Sequence, residues 1–271
     1  MKKIALGLTI LLSLGVVSTA STQSLTPREK VVEFLAQTGI AEQLNDIPYI
    51  INEQFVAEEQ RFQPEIQAEI KSQLMSSFDA DQVREDAISY VLNDVEQGHI
   101  QAVIDWLNAP LTQRMNELEV QATTQESQAD LAAFVEKVQA GEIDQARLEA
   151  ILAFDEMTKT TDSTVEYIAE LYMALVTAMN PYVSTEDKIN PEDTEAMKAM
   201  IVQEVYPQYK DVTVILNLYT YKDVSDEDLN EYIGFYRTPE GQWFTEVSSG
   251  IFKHVLNQAT LRVREVQSFK D

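Results

Sequence analysis

The sequence predicts an all-α fold, a helical bundle built from two similar multi-helix halves. Three observations carry this expectation. Apolar residues recur at spacings of three and four among Glu, Gln, Ala, Leu and Lys, the period of a helix with one buried face. Capped helix starts are written at several points along the chain. Glycine is scarce, with eight in 271 residues, as long helices joined by short loops require.

Lys2 and Lys3 open the chain, Ile4 to Val17 is apolar, and Ser18-Thr19-Ala20 places small residues where a signal peptidase cuts. Residues 1–20 therefore read as a secretory signal. The apolar run is fourteen residues, against about 20 for a bilayer span. The expectation is a periplasmic protein with no stable membrane insertion after cleavage.

Thr26-Pro27-Arg28-Glu29 opens the first helix: a threonine N-cap, a proline at the first helical position and a glutamate able to reach back to the cap. Similar starts follow at Asp79, at Asn190-Pro191, at Ser225 and at Thr238-Pro239. Pro48 and Pro64 are expected to end or kink helices. The Gln/Ala/Glu-rich stretch from Glu119 to Arg147 reads as helix rather than linker, lacking proline and Ser-Gly tracts. Val212 to Ile215 is the one run tempting as a strand; it continues into Leu216, Leu218 and Tyr219 without a turn signal and reads as buried helix.

Two segments match at a constant offset of 129 residues. Val103, Ile104, Trp106, Leu107 and Pro110 fall on Tyr232, Ile233, Phe235, Tyr236 and Pro239, and Met115 and Leu118 fall on Phe244 and Val247. Each segment reads as a helix, a turn and a proline-started helix folding back, an αα-hairpin with aromatic residues in its seam. The expected organisation is a signal at 1–20, an N-terminal helical half at 21–150 and a C-terminal half at 151–271.

Phe235-Tyr236-Arg237-Thr238-Pro239-Glu240-Gly241, with the acidic helix start at Ser225 and the amphipathic run to Val247, resembles the bacterial exported family described as domain of unknown function 2059. Arg28 to Ile47 looks like the usual start of such a domain. The first copy departs from the motif, with Asn108 in place of the arginine and Thr112 in place of the glycine. The resemblance implies a helical exported domain and brings no catalytic residues.

Composition narrows the function classes. Without residues 1–20 the chain carries 18 basic and 45 acidic residues, a surface that repels phosphate, so no nucleic-acid partner is expected. No cysteine is present; thiol catalysis, disulfides and cysteine-ligated zinc are excluded. His99 and His254 have no second histidine at metal-binding spacing, and Ser248-Ser249-Gly250 makes no hydrolase elbow. Acidic clusters at 186–195 and 223–228 lack the frame of a calcium loop and read as solvated helix starts. No catalytic residue, metal site or cofactor is assigned.

Nine of the eleven tyrosines follow residue 160. Such a set lines a pocket or fills a bundle seam, and the core is the favoured reading. Arg237 ends one helix just before the next N-cap, where it satisfies terminal carbonyls, pairs with a carboxylate or contacts an anion. Tyr232, Tyr236, Arg237 and Trp243 are the candidate binding residues. The leading expectation is a non-enzymatic periplasmic binding or interaction module for a protein, a peptide or an apolar small molecule. The alternative is a carboxylate-based or metal-dependent envelope hydrolase.

Overall fold

The structure is a computed structural model describing residues 25–268; the expected export signal lies outside them. Among the described residues there are helices and no strand, the all-α class that the sequence predicts. Helix α1 (Pro27–Gln37) begins with the expected capping box, Glu29 N–H donating to Thr26 Oγ1 and Thr26 N–H to Glu29 Oε2. Gly39, at φ 70°, turns the chain into α2 (Ile40–Glu58).

Pro48 lies inside α2 and does not end it. Its buried stripe of Ile40, Leu44, Ile47, Ile51 and Phe55 outweighs the roughly 3 kcal/mol that an interior proline costs. Pro64 instead starts α3 (Pro64–Ser77), and Asp79 caps α4 (Ala80–Asn93), accepting from Asp81 and Gln82 N–H at 3.1 Å.

The two segments aligned at the 129-residue offset hold α5 (Ile100–Leu107) with α6 (Pro110–Ala122), and α11 (Asp226–Phe235) with α12 (Pro239–Ser268). Between them run α7 (Ser127–Gln139), α8 (Gln145–Thr158), α9 (Thr160–Met179) and α10 (Thr194–Thr220). The stretch expected as one helix from Glu119 to Arg147 is broken at 123–126 and 140–144. Residues 191–193 form a short 3-10 turn, so α10 starts later than the Asn190-Pro191 signal indicates. Val212 to Ile215 is helical, within α10.

Helix α9 is the axis of the bundle: thirteen of its twenty residues are buried, and it packs against both α10 and α12. Helix α12 also packs on α3 and α4. One apolar cluster runs from Val31 to Val263 and draws on residues both before and after position 150. No helix among the described residues is long and apolar enough to cross a membrane.

Candidate functional site

Where α10 and α12 flank α9, their facing side chains leave a cavity of about 200 Å³. Phe154 of α8, Tyr167 of α9, Leu216 of α10 and Phe244, Phe252 and Leu256 of α12 form apolar wall. Glu166, Val212 and Lys253 also line it and are exposed, marking a rim at solvent. At the buried end stands Glu119 of α6, 5% exposed.

Glu119 reaches this place by helical register. The buried residues of α6 are Thr112, Met115, Asn116 and Glu119, at offsets of three, four and seven from Thr112, so Glu119 continues the inward stripe. Its Oε1 accepts from Tyr221 Oη at 2.5 Å and from Tyr232 Oη at 3.0 Å. Burial pushes the carboxyl up to about 7, against the two phenol hydrogen bonds, which act to lower it. Glu119 is therefore divided between its acid and carboxylate forms near neutrality.

The phenols are held by the helices around them. Arg147, at the start of α8, donates to Tyr221 O and Val224 O at 2.5 Å and pairs with Asp226, which fixes the turn between α10 and α11. Tyr232 of α11 and Tyr236, its C-cap, are one helical turn apart. Phe154 contacts all three rings, with centroids 6.0 Å from Tyr221, 5.9 Å from Tyr232 and 5.4 Å from Tyr236. Burial and the nearby Glu119 charge raise each of these phenols, so they stay protonated donors.

Two hydroxyls of the lining are left over. Thr245 Oγ1 and Ser248 Oγ are buried without a hydrogen-bond partner among the described residues. Both phenol hydrogen bonds to Glu119 go to Oε1. Unpaired buried polar atoms cost roughly 1–3 kcal/mol each. Their convergence on one cavity is the arrangement by which a protein orients a bound molecule.

The structure brings two of the four sequence-derived candidates together: Tyr232 and Tyr236 are 2% and 4% exposed and both line the cavity. Arg237 is exposed, and its guanidinium makes no hydrogen bond or ion pair with the described residues. Trp243 faces the other way, its Nε1 donating to Glu96 O at 2.8 Å and its ring against Phe34 and His99. Sequence reasoning missed Glu119, Thr245 and Ser248. The available signal was spacing: Glu119 lies four residues after Met115, and Ser248 four after Phe244.

The other chemistry-bearing side chains lie outside the cavity. His99 sits between Glu96 and Glu240, at 3.7 and 3.6 Å, and the ring of His254 stacks on Tyr90. In the second acidic cluster Ser225 caps α11, Asp226 pairs with Arg147 and Asp228 with Arg114. Among the described residues no group of three or more His, Asp or Glu is placed to hold a metal ion.

Fold and site together define an all-α protein with an aromatic-walled cavity closed at its inner end by a carboxyl group. No family model, curated protein or solved structure matches the chain.

Proposed function

We propose that this protein is an exported, non-enzymatic binding module of the bacterial periplasm, and that it holds a small, largely apolar molecule in the cavity between α9, α10 and α12. One observation carries the reading: an aromatic-walled cavity of about 200 Å³ with a carboxyl group at its buried end and, in its lining, two hydroxyls without hydrogen-bond partners. A cavity of 150 Å³ lined by apolar groups takes up benzene, so this one has room for a ring and a short chain. Lys2, Lys3 and the apolar run to Val17 support export. The resemblance of Ser225 to Val247 to the domain of unknown function 2059 family supports the same compartment.

Native mass spectrometry of protein purified gently from the envelope of its own cells, compared with the denatured chain, tests both parts. The expected result is a chain beginning at Ser21 with an additional non-covalent mass below about 200 Da, the size that the cavity allows. A bare chain that no apolar compound stabilises thermally would overturn the binding reading. A chain retaining Met1 would overturn export.

A further inference from the structure

The cavity's chemistry also narrows the class of ligand, a step that rests on the binding function proposed above. We infer that the cavity takes a small organic cation, a primary arylalkylamine whose ammonium pairs with Glu119 Oε2 and whose apolar body lies along the aromatic wall.

Glu119 has two oxygens and three phenols near it: Tyr221 and Tyr232 both donate to Oε1, and the Tyr236 hydroxyl pairs with that of Tyr232. A tyrosine hydroxyl has one proton to give, so Tyr221 and Tyr232 have none left for Oε2. Thr245 Oγ1 and Ser248 Oγ, also without partners, can each accept. The cavity thus offers a carboxylate oxygen at its inner end and two hydroxyl acceptors in its lining, and an ammonium group brings three donors.

Other head groups fit less well. An anion would lie beside Glu119 with no positive side chain at that end, since the cavity's single lining cation is Lys253, exposed at the rim. A neutral alcohol could hydrogen-bond to Oε2, yet it would leave the buried charge unneutralised. The rings of Phe154, Tyr221, Tyr232 and Tyr236, in mutual contact, present aromatic faces that attract a cation.

An ammonium ligand binds the ionised form of Glu119, so complex formation below about pH 7 must first remove the carboxyl proton. Affinity for the amine should therefore rise as pH increases through that value and level off above it. The charged groups facing the cavity from other helices are Glu166 and Glu170 of α9, the latter paired with Lys198, and Lys253 of α12. Those that face Glu119 directly are raised phenols, which keep their protons across this range.

The test compares 2-phenylethylamine with its neutral isostere 2-phenylethanol by isothermal titration calorimetry, on the wild-type chain and on Glu119→Gln, at about pH 8 and about pH 5.5. The expected wild-type result is an amine preference of at least about tenfold at the higher pH, shrinking by about tenfold or more at the lower. In Glu119→Gln the two compounds should bind alike, with alcohol affinity retained. An alcohol that binds as well as the amine to wild type at about pH 8, or an amine preference that survives both Glu119→Gln and the drop in pH, would overturn the cation assignment while leaving a binding cavity. If neither compound binds wild type, the cation assignment fails; if a panel of apolar molecules also gives no stabilisation, the cavity reading itself falls. Should Glu119→Gln fail to fold, the wild-type pH profile for amine against alcohol decides the question alone.

Discussion

The phenol of Tyr221 donates to Glu119 Oε1 at 2.5 Å across 102 residues of sequence, and neither residue is more than 5% exposed. This bond joins the end of α10 to the last turn of α6 and places an ionisable group inside an otherwise aromatic environment. Its energetic consequence depends on pH.

Glu119 binds its proton with a value of about 7 in the folded chain, against 4.5 as the unperturbed reference. Between those values the folded chain holds more protons than the unfolded one, so this group's contribution is fully present below about pH 4.5 and is lost as pH rises through about 7. The loss is on the order of 3 kcal/mol. Glu119→Gln keeps an acceptor for Tyr221 and Tyr232 without the charge. Urea unfolding should show it close to wild type near pH 4.5 and more stable by about 2–3 kcal/mol near pH 8; parallel stability curves for the two chains would contradict the assignment.

Asp155, 2% exposed, accepts from the backbone and hydroxyl of Thr161 at 2.9 Å and from Lys210 Nζ at 2.8 Å, spanning Lys159 in its left-handed conformation. Asp155→Ala strands those donors and is expected to cost about 3 kcal/mol. Asp155→Asn, which keeps an acceptor for Thr161, should cost roughly half as much. Equal losses from the two variants in chemical denaturation would mean that the Thr161 contacts contribute nothing.

Gly241 lies where α12 crosses the end of α11: a Cβ there would come within 2.1 Å of Phe235 O and 2.6 Å of Tyr236 Cα. Both are backbone atoms and cannot rotate aside. Gly241→Ala should therefore destabilise by about 2–3 kcal/mol despite alanine's better helix propensity. An unchanged or raised melting temperature would show that the hairpin can open at no cost.

Trp106 and Phe235 stack with centroids 3.9 Å apart and planes within 7°. A double-mutant cycle with Trp106→Leu and Phe235→Leu is expected to return a coupling of about 1 kcal/mol. A coupling indistinguishable from zero would reduce the pair to independent apolar burial.

Those same two rings show which features the sequence carries and which it hides. The 129-residue offset aligns Trp106 with Phe235, and the two rings stack face to face, a contact between the two segments that the alignment did not predict. Helix starts at Thr26, Asp79 and Ser225 were legible because a cap is a local bond between a side chain and an N–H two or three residues on. Glu119 was not legible, since three of the four residues in its buried stripe, Thr112, Asn116 and Glu119 itself, are polar. Only partners far along the chain, Tyr221 and Tyr232, make that position inward. Arg237 and Trp243 fail as cavity residues for a geometric reason. Neighbours in sequence on a helix diverge by about 100°, and Tyr236 and Phe244 line the cavity while Arg237 and Trp243 do not.

Helix α12 meets the oldest part of the chain. Gln73 Nε2 donates to Val263 O at 2.7 Å, and Arg262 reaches Ser77 O at 2.9 Å and Asp86 at 2.7 Å. In order of synthesis, α3 and α4 are made well before α12 and must wait for it before their apolar sides are covered. A nascent chain stopped before Pro239 has no finished interior, however many helices it has formed, and is a substrate for proteases rather than a smaller folded protein.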